Sequence, residues 1–305
     1  MPHDHDHDHH HRVPERRDGA FAIGVALNLG LVVVQVVVGV LAGSIALIAD
    51  AGHNLGDVLG LGLGWWAAVM TRRPPTPQRT YGYGRGTILA SFANAALLLI
   101  GVGAIALESV RRLIAPGHVA GLAMMWVALA AIAVNGATAL LFMRGREHDL
   151  NLRGAFLHMA ADAGASLGVV IAGLLIHFTG WVRLDPIMGL VIAVVITVGT
   201  WSLLRQSLGM AMDAVPEGTD RGAVADWLRS LPGVADIHDL HIWSLSTTET
   251  ALTVHLVCPE APPDDCTISA ASAALRERFG IGHATFQVER GDPAHPCALA
   301  PADVI

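Results

Sequence analysis

The sequence predicts a polytopic α-helical membrane protein, with six transmembrane helices followed by a small C-terminal α+β domain. Its 305 residues are 53% hydrophobic and only 15% charged, whereas a soluble domain carries about a quarter charged residues. The mean hydropathy is +0.51. The apolar residues are concentrated in six helix-length segments, and a stretch of ordinary soluble composition follows them.

The chain begins with a polar tail, residues 1–19, that contains six of the 16 histidines, alternating with aspartates. A segment this polar cannot bury enough apolar surface to fold alone. We expect a disordered, metal-gathering tail; a cloning tag is the alternative, which the alternation with aspartate makes the weaker interpretation. The first apolar run starts only near Phe21, so no secretory signal peptide is predicted.

The six apolar segments make up a predicted transmembrane domain, residues 20–208. A helix needs about 20 residues to cross a bilayer. The predicted segments are 20–41, 45–70, 88–113, 119–143, 154–178 and 184–207.

The arginines predict the orientation of these segments. If the N-terminus is cytoplasmic, eleven arginines flank the inner ends of the segments, and three flank the outer ends. Because basic residues favour the cytoplasmic side, we expect both termini in the cytoplasm, and the inner (plasma) membrane of a bacterium as the location. The three exceptions are Arg111, Arg112 and Arg183.

We expect residues 209–291 to form a cytoplasmic domain and residues 292–305 to form a flexible tail. Breaks rich in proline and glycine separate the predicted elements of the domain. Their order, α-β-β-α-β, is that of a split-βαβ, ferredoxin-like layer. The predicted elements are a helix at 220–230, strands at 237–246 and 250–258, a helix at 264–279 and a strand at 283–289.

Charge and cysteine content exclude some classes of protein. A net charge of -7 gives no support for nucleic-acid binding. The three cysteines form no CxxC pair, which argues against a disulfide framework and suits a reducing compartment.

Two short motifs place ionisable side chains inside the apolar segments. His53 and Asp57 are four residues apart in the second segment, so on a helix they share one face. His158 and Asp162 repeat this spacing in the fifth segment. The two pairs make a four-ligand set that suits tetrahedral Zn²⁺. Asp50, one turn before His53, is expected to support a ligand or line the access path rather than to bind metal directly.

The alternative for polar side chains in such helices is interhelical hydrogen bonding, often worth about 1 kcal/mol or less per contact. That interpretation stays open for other polar residues. It suits the aspartates less well, because an unpaired aspartate at membrane depth costs a few kcal/mol and neither segment contains an arginine. A bound dication would compensate both charges. The residues for which hydrogen bonding stays open are Asn28, Gln35, Asn94, Asn135 and Ser166.

Metal ligands of this type also suggest a source of energy. Zn²⁺ binds deprotonated imidazole and carboxylate, so metal and protons compete for the same atoms. If the site opens alternately to the two sides, protons can replace the metal that leaves. No Walker A sequence points to ATP.

Five stretches resemble the cation diffusion facilitator family, in its zinc-transporting branch. The resemblance implies six transmembrane helices, a homodimer, a ferredoxin-like cytoplasmic domain that binds zinc, and proton-driven export of Zn²⁺, sometimes Cd²⁺ or Co²⁺. It also implies that His53 favours zinc. Many relatives have glutamate where this chain has Gln35. The stretches are 43–57, 81–85, 158–162, 238–243 and 283–289.

The resemblance also implies a cytoplasmic zinc site of four residues on or beside predicted strands: His238, His255, His283 and Glu289. Taken singly, each has the alternative of being a polar surface residue. His241 alternates poorly with the others, and Cys266 is a possible additional ligand.

Two other functions remain as alternatives to a transporter. A membrane-embedded zinc-dependent enzyme would need an open metal position and a general base, and no His-Glu-x-x-His motif is present, so we expect no enzymatic activity. A metal sensor or storage protein could use the tail and the cytoplasmic domain.

Overall fold

The computed structural model describes residues 16–143 and 150–300, with side chains for 25–140, apart from 61 and 68, and for 159–300. The predicted His/Asp-rich tail therefore lies almost entirely outside the described residues.

Six helices of 23 to 30 residues account for the six predicted segments. Most extend a few residues beyond the apolar run, because backbone hydrogen bonding continues where hydrophobic composition stops. The fourth begins two residues later than predicted. The helices are α1 (Arg16–Ala42), α2 (Ile45–Thr71), α3 (Arg85–Ile114), α4 (Gly121–Met143), α5 (Leu150–Thr179) and α6 (Leu184–Ala211).

Within the described residues, five of these helices, α1 and α3 to α6, are long and apolar enough to cross a membrane. The sixth, α2, is equally long but carries Asp50, His53 and Asp57. Large apolar side chains such as Leu41 and Val198 are exposed along the helices, as expected of a surface in contact with lipid. The chain is an integral membrane protein.

The chain divides into two compact units, which we describe separately. In the first, residues 1–58 and 101–195, α4 packs against α5 and α1. Gly121 and Gly173 bring the backbones of α4 and α5 together: a Cβ atom on either would lie 2.6 or 2.7 Å from the other's carbonyl oxygen. Such close approach through small residues is typical of membrane helices.

The turn between α1 and α2 is also tightly held in the first unit. Gly43 has φ +65°, and a Cβ atom there would lie 2.4 Å from the carbonyl oxygen of His118. Arg112 donates hydrogen bonds to the Gly43 carbonyl and to Glu108. This arginine, an exception to the charge rule, therefore fastens the turn to α3.

In the second unit, residues 59–100 and 196–305, the connection between α2 and α3 contacts the C-terminal domain. Arg85 forms an ion pair with Asp213 at 2.7 Å. The backbone N–H of Thr247 donates to Thr87 Oγ1 at 3.0 Å. The ring of Tyr81 meets the ring of His283 edge to face.

The C-terminal domain contains the predicted order of helices and strands. Strand β2 lies in the centre of the sheet, antiparallel to β1 and parallel to β3. Apolar side chains from both helices cover the sheet, including Leu228, Leu252 and Leu275. The elements are α7 (Arg221–Arg229), β1 (Asp236–Ser244), β2 (Thr250–Val257), α8 (Asp265–Phe279) and β3 (Ile281–Glu289).

Replacing Gly43 with alanine should destabilise the protein. The added Cβ meets the His118 carbonyl, and the positive φ alone costs an L-residue about 1 kcal/mol. Thermal unfolding of the purified protein measures the effect. Gly117→Ala is the control, because its φ is not positive and nothing lies within 4 Å of the added atom. An equal change in both variants would contradict this account of the turn.

Candidate metal centres

The first candidate centre lies on the facing sides of α2 and α5. His53 Nε2 is 3.0 Å from Asp162 Oδ1 and 3.9 Å from Asp57 Oδ2. One ligand atom from each of these three side chains lies within 4.8 Å of the others. Asp162 is buried, and the other two side chains are about one quarter exposed. Residues 109 positions apart in the chain thus meet in one cluster.

The spacing fits a tetrahedral zinc ion. Zinc lies about 2.0–2.2 Å from imidazole nitrogen and carboxylate oxygen, so neighbouring ligand atoms are roughly 3.3 Å apart in a tetrahedron. The observed separations of 3.0 and 3.9 Å bracket this value. One imidazole and two carboxylates are hard and borderline ligands, which suit Zn²⁺ and similar dications.

His158, the fourth predicted ligand, lies in α5 one turn before Asp162. Its backbone is helical, which keeps the predicted spacing on one helical face. Its side chain lies outside the described part of the structure, so its role as a ligand stays a prediction.

Asp50, one turn before His53, belongs to a buried hydrogen-bond network. It accepts hydrogen bonds from Gln35 Nε2 and from Ser166 Oγ. Asn54 Nδ2 in turn donates to Gln35 Oε1 at 3.1 Å. All four side chains are buried. The network joins α1, α2 and α5 one turn from His53, and it gives Gln35 and Ser166 the interhelical hydrogen bonds left open above.

The second candidate centre lies in the C-terminal domain, where one strand after another contributes a ligand. His238 is on β1, His255 on β2 and Glu289 at the end of β3. Glu289 lies 2.8 Å from His255 Nδ1 and 3.3 Å from His238 Nε2. Cys297 Sγ is 3.6 Å from His255 Nδ1. The four ligand atoms lie within 4.8 Å of one another.

A β-bulge in β1 orients one of these histidines. The register shifts between His238 and His241, and Asp239 within the bulge has φ +50°. Its Oδ2 lies 3.3 Å from His255 Nε2, and its Oδ1 lies 2.8 Å from His241 Nε2. An imidazole that donates one N–H to a carboxylate presents its other nitrogen to a metal. Asp239 therefore turns His255 Nδ1 toward the cluster, and His241 supports Asp239.

The charge state of the cluster also suits a cation. Burial opposes the charged form of Glu289, but hydrogen bonds from Cys297 and Gln287 and the two nearby histidines lower the pKa of its carboxyl group. A hydrogen bond from the backbone N–H of Leu299 lowers the pKa of the Cys297 thiol, but the Glu289 carboxylate acts in the opposite direction, and the pKa is raised overall. Zinc binding would thus release the thiol proton.

The structure does not bring His283 to this cluster. On β3 it pairs with Ala251, whereas His255 pairs with Gln287, four residues further along. Four residues of strand span about 13 Å. His283 instead contacts Tyr81. Cys266 is exposed in the first turn of α8 and is not part of the cluster.

Sequence reasoning missed Cys297 and Asp239. Cys297 lies eight residues after the last strand, in the segment predicted to be loose, and only the folded chain places it on the sheet. Asp239 is adjacent to His238 in the motif His238–His241, and that position was the available signal. Its function depends on the bulge, which the sequence does not reveal.

Comparisons with known proteins match both the helical part of the chain and the C-terminal domain. The profile of the cation efflux transmembrane domain matches residues 21–210, and that of the cytoplasmic domain of cation efflux proteins matches residues 216–291. The metal cation efflux system protein CzcD of Cupriavidus metallidurans is 35% identical over 95% of this chain and 90% of its own.

Two further relatives cover most of the chain. The zinc transporter ZitB of Escherichia coli is 34% identical over 90% of this chain and 87% of its own. The cadmium, cobalt and zinc/H(+)-K(+) antiporter of Bacillus subtilis is 32% identical over 88% of each chain.

Asp239→Asn should weaken zinc binding in the cytoplasmic cluster by about 10- to 100-fold, the usual effect of removing a carboxylate behind a ligating histidine. Asparagine tolerates the left-handed backbone at this position, so the variant isolates the lost charge. Equilibrium dialysis of the full-length protein measures the affinity, in an Asp162→Ala background that removes the other centre.

His283→Ala is the matched control, since this histidine lies on the same sheet but outside the cluster. We expect its zinc affinity to equal that of the background. If it weakens binding as much as Asp239→Asn does, the assignment of ligands is wrong.

Proposed function

The chain belongs to the cation efflux family, and we propose that it exports Zn²⁺ from the cytoplasm in exchange for protons. The observation that carries the proposal is the cluster of His53, Asp57 and Asp162 on α2 and α5, within an integral membrane protein. Relatives named for zinc, and for cadmium and cobalt with zinc, match the chain over most of its length. Cd²⁺ and Co²⁺ are therefore possible further substrates.

In the proposed cycle, the transported ion binds His53, Asp57, His158 and Asp162. The two carboxylates balance the charge of the dication, and the two imidazoles favour zinc over hard cations such as Mg²⁺. Buried aspartates are costly without such a partner.

Proton exchange follows from the same ligands. Each imidazole and carboxylate can hold either a proton or a share of the metal. When the site faces the outside, protons arriving at these atoms displace Zn²⁺. When it faces the cytoplasm, Zn²⁺ displaces the protons. Alternating access of one ligand set thus couples the two fluxes without a separate proton site.

The proposal includes an arrangement in the membrane. We place six spans in residues 20–208: the five apolar helices and, as the sixth, α2. Both termini then lie in the cytoplasm of a bacterium. Residues 1–19 form the N-terminal tail and residues 292–305 the C-terminal tail. Residues 209–291 form a ferredoxin-like domain, which we expect to dimerise the protein.

The cytoplasmic cluster of His238, His255, Glu289 and Cys297 would hold a resident zinc ion. Two imidazoles, a carboxylate and a thiolate make a closed set of four, which is typical of structural zinc sites. Ligands from three adjacent strands would let such an ion brace the sheet.

Transport by reconstituted protein tests the proposal. An imposed pH gradient should drive Zn²⁺ uptake into proteoliposomes, and Asp57→Ala or Asp162→Ala should abolish it while the protein stays folded. Each change removes a ligand and leaves an uncompensated dication. Zinc-sensitive dye fluorescence inside the liposomes measures the rate.

Thr138→Val serves as the control for a polar change inside the helices. Thr138 Oγ1 donates to the Val134 carbonyl of its own helix, so its loss should leave transport near normal. Zinc binding without any pH-driven movement would disprove antiport, and near-normal transport by either aspartate variant would disprove the ligand set.

Deleting residues 1–11 should lower the apparent zinc affinity or the rate without abolishing transport. The tail supplies six histidines that raise the local metal concentration. Concentration-dependent uptake by the truncated protein measures this. Complete loss of transport would instead make the tail part of the pathway.

A further inference from the structure

We propose that Asp185, in the first turn of α6, is a positioning residue for the transmembrane metal centre. It holds the N-terminal turn of α2, the helix that carries His53 and Asp57. The inference rests on the proposed function, since it assigns a task in that same site to a residue that contacts no ligand.

The Asp185 side chain is fully buried, and both of its oxygens accept hydrogen bonds from the start of α2. Its Oδ1 accepts from Ser44 Oγ at 2.6 Å and from the backbone N–H of Ala46 at 3.2 Å. Its Oδ2 accepts from the backbone N–H of Ile45 at 2.7 Å. A carboxylate with three donors on two oxygens is committed to this turn and is not available as a metal ligand.

Ser44 completes the arrangement. Its Oγ donates to Asp185 and accepts from the backbone N–H of Leu47 at 3.1 Å. The N–H groups of the first helical residues have no partner within a helix, and inside a membrane an unsatisfied group costs several kcal/mol. The first three donors of α2 are therefore satisfied by one serine and one carboxylate from another helix. The negative charge also lies at the positive end of the α2 dipole.

We call the hydrogen bonds of Asp185 and Ser44 to the start of α2 the clamp. The clamp fixes the position of α2 along its own axis, and with it the height of His53 relative to Asp162 on α5. His53 lies eight residues from Ile45, which is about 12 Å along α2. On the other side, Gly168 of α5 packs closely against Met188 of α6.

A second path runs from Asp185 along α6 to Met188, three residues away, and from Gly168 along α5 to Asp162, six residues away. Its length is about 14 Å. This is close to the distance of about 12 Å from the start of α2 to His53. Asp185 therefore fixes the axial register of α2 on α5, and a change there shifts His53 and Asp57 relative to Asp162.

Close packing supports the same register. A Cβ atom on Gly189, one turn after Asp185, would lie 2.9 Å from Ile45 Cγ2 and 2.8 Å from Ser109 Oγ. The start of α2 thus lies directly against α6, so movement of α2 along its axis must first break the hydrogen bonds to Asp185.

A double-mutant cycle in zinc uptake tests the proposal, with Asp185→Asn, Ser44→Ala and the double variant. Asparagine offers only one acceptor oxygen and turns an N–H₂ toward the donors of α2. We expect the KM for Zn²⁺ to rise about tenfold in Asp185→Asn and by roughly threefold in Ser44→Ala, with the double variant equal to Asp185→Asn alone because the residues act as one unit.

A merely structural residue would behave differently. Loss of folded protein lowers Vmax and leaves KM unchanged. Ser207→Ala is the control on α6, since Ser207 is buried but its hydroxyl donates to Leu203 and Leu204 of its own helix, and its KM should equal that of the unmodified protein. Multiplying effects in the double variant, or a fall in Vmax alone, would overturn the proposal.

Ile45→Pro supplies a second test if Asp185→Asn does not fold. Proline is favoured at the first position of a helix but lacks the N–H that Asp185 accepts, so KM should rise here too; an unchanged KM would count against the clamp. Equilibrium zinc binding to the same variants separates the two proposals. If the unmodified protein binds zinc but moves none, antiport fails, whereas weaker binding in the clamp variants still supports positioning.

Discussion

The charge inside the helices is the constraint on which the rest of the membrane domain depends. Asp57 and Asp162 lie together on α2 and α5 with one described imidazole, His53, between them. A carboxylate in such surroundings needs a cationic partner, a proton or several hydrogen-bond donors. A site that must hold either a dication or protons is never far from neutral in the proposed cycle, and this explains why a binding site of this composition can also exchange its contents.

Hydrogen bonding gives the same helices their fixed positions. Asp50 accepts from Gln35 of α1 and Ser166 of α5, and Asp185 of α6 accepts from the start of α2. Both carboxylates are buried and hydrogen-bonded to neighbouring helices. They differ in this from Asp57 and Asp162, the two acidic residues that we propose as ligands. The distinction depends on what the oxygens accept, and hydropathy or spacing along the chain cannot supply it.

Local patterns predicted the helices, the strands and the two His-x-x-x-Asp pairs, because hydrophobic length and helical spacing are properties of short segments. Three features that the sequence did not reveal depend on contacts between distant parts of the chain. Asp185 contacts Ile45 of α2, 140 residues earlier in the chain, and Cys297 contacts His255, 42 residues earlier. His283 was assigned from a resemblance in sequence, but strand register places it four residues from the pair that would have brought it to His255. Register depends on which strands pair, and one motif cannot establish that.

The two centres differ in how firmly their ligands are spaced. In the cytoplasmic cluster, His238, His255 and Glu289 belong to three paired strands of one sheet, so a change in their separation would disturb the pairing of those strands. The proposed ligands of the other centre belong to two helices, whose positions depend on side-chain hydrogen bonds such as those of Asp50 and Asp185. A displacement of α2 against α5 would break those bonds but no backbone hydrogen bond within either helix, and it would alter the distance from His53 to Asp162. A site built across strands suits an ion that stays, and one built across helices suits an ion that must leave.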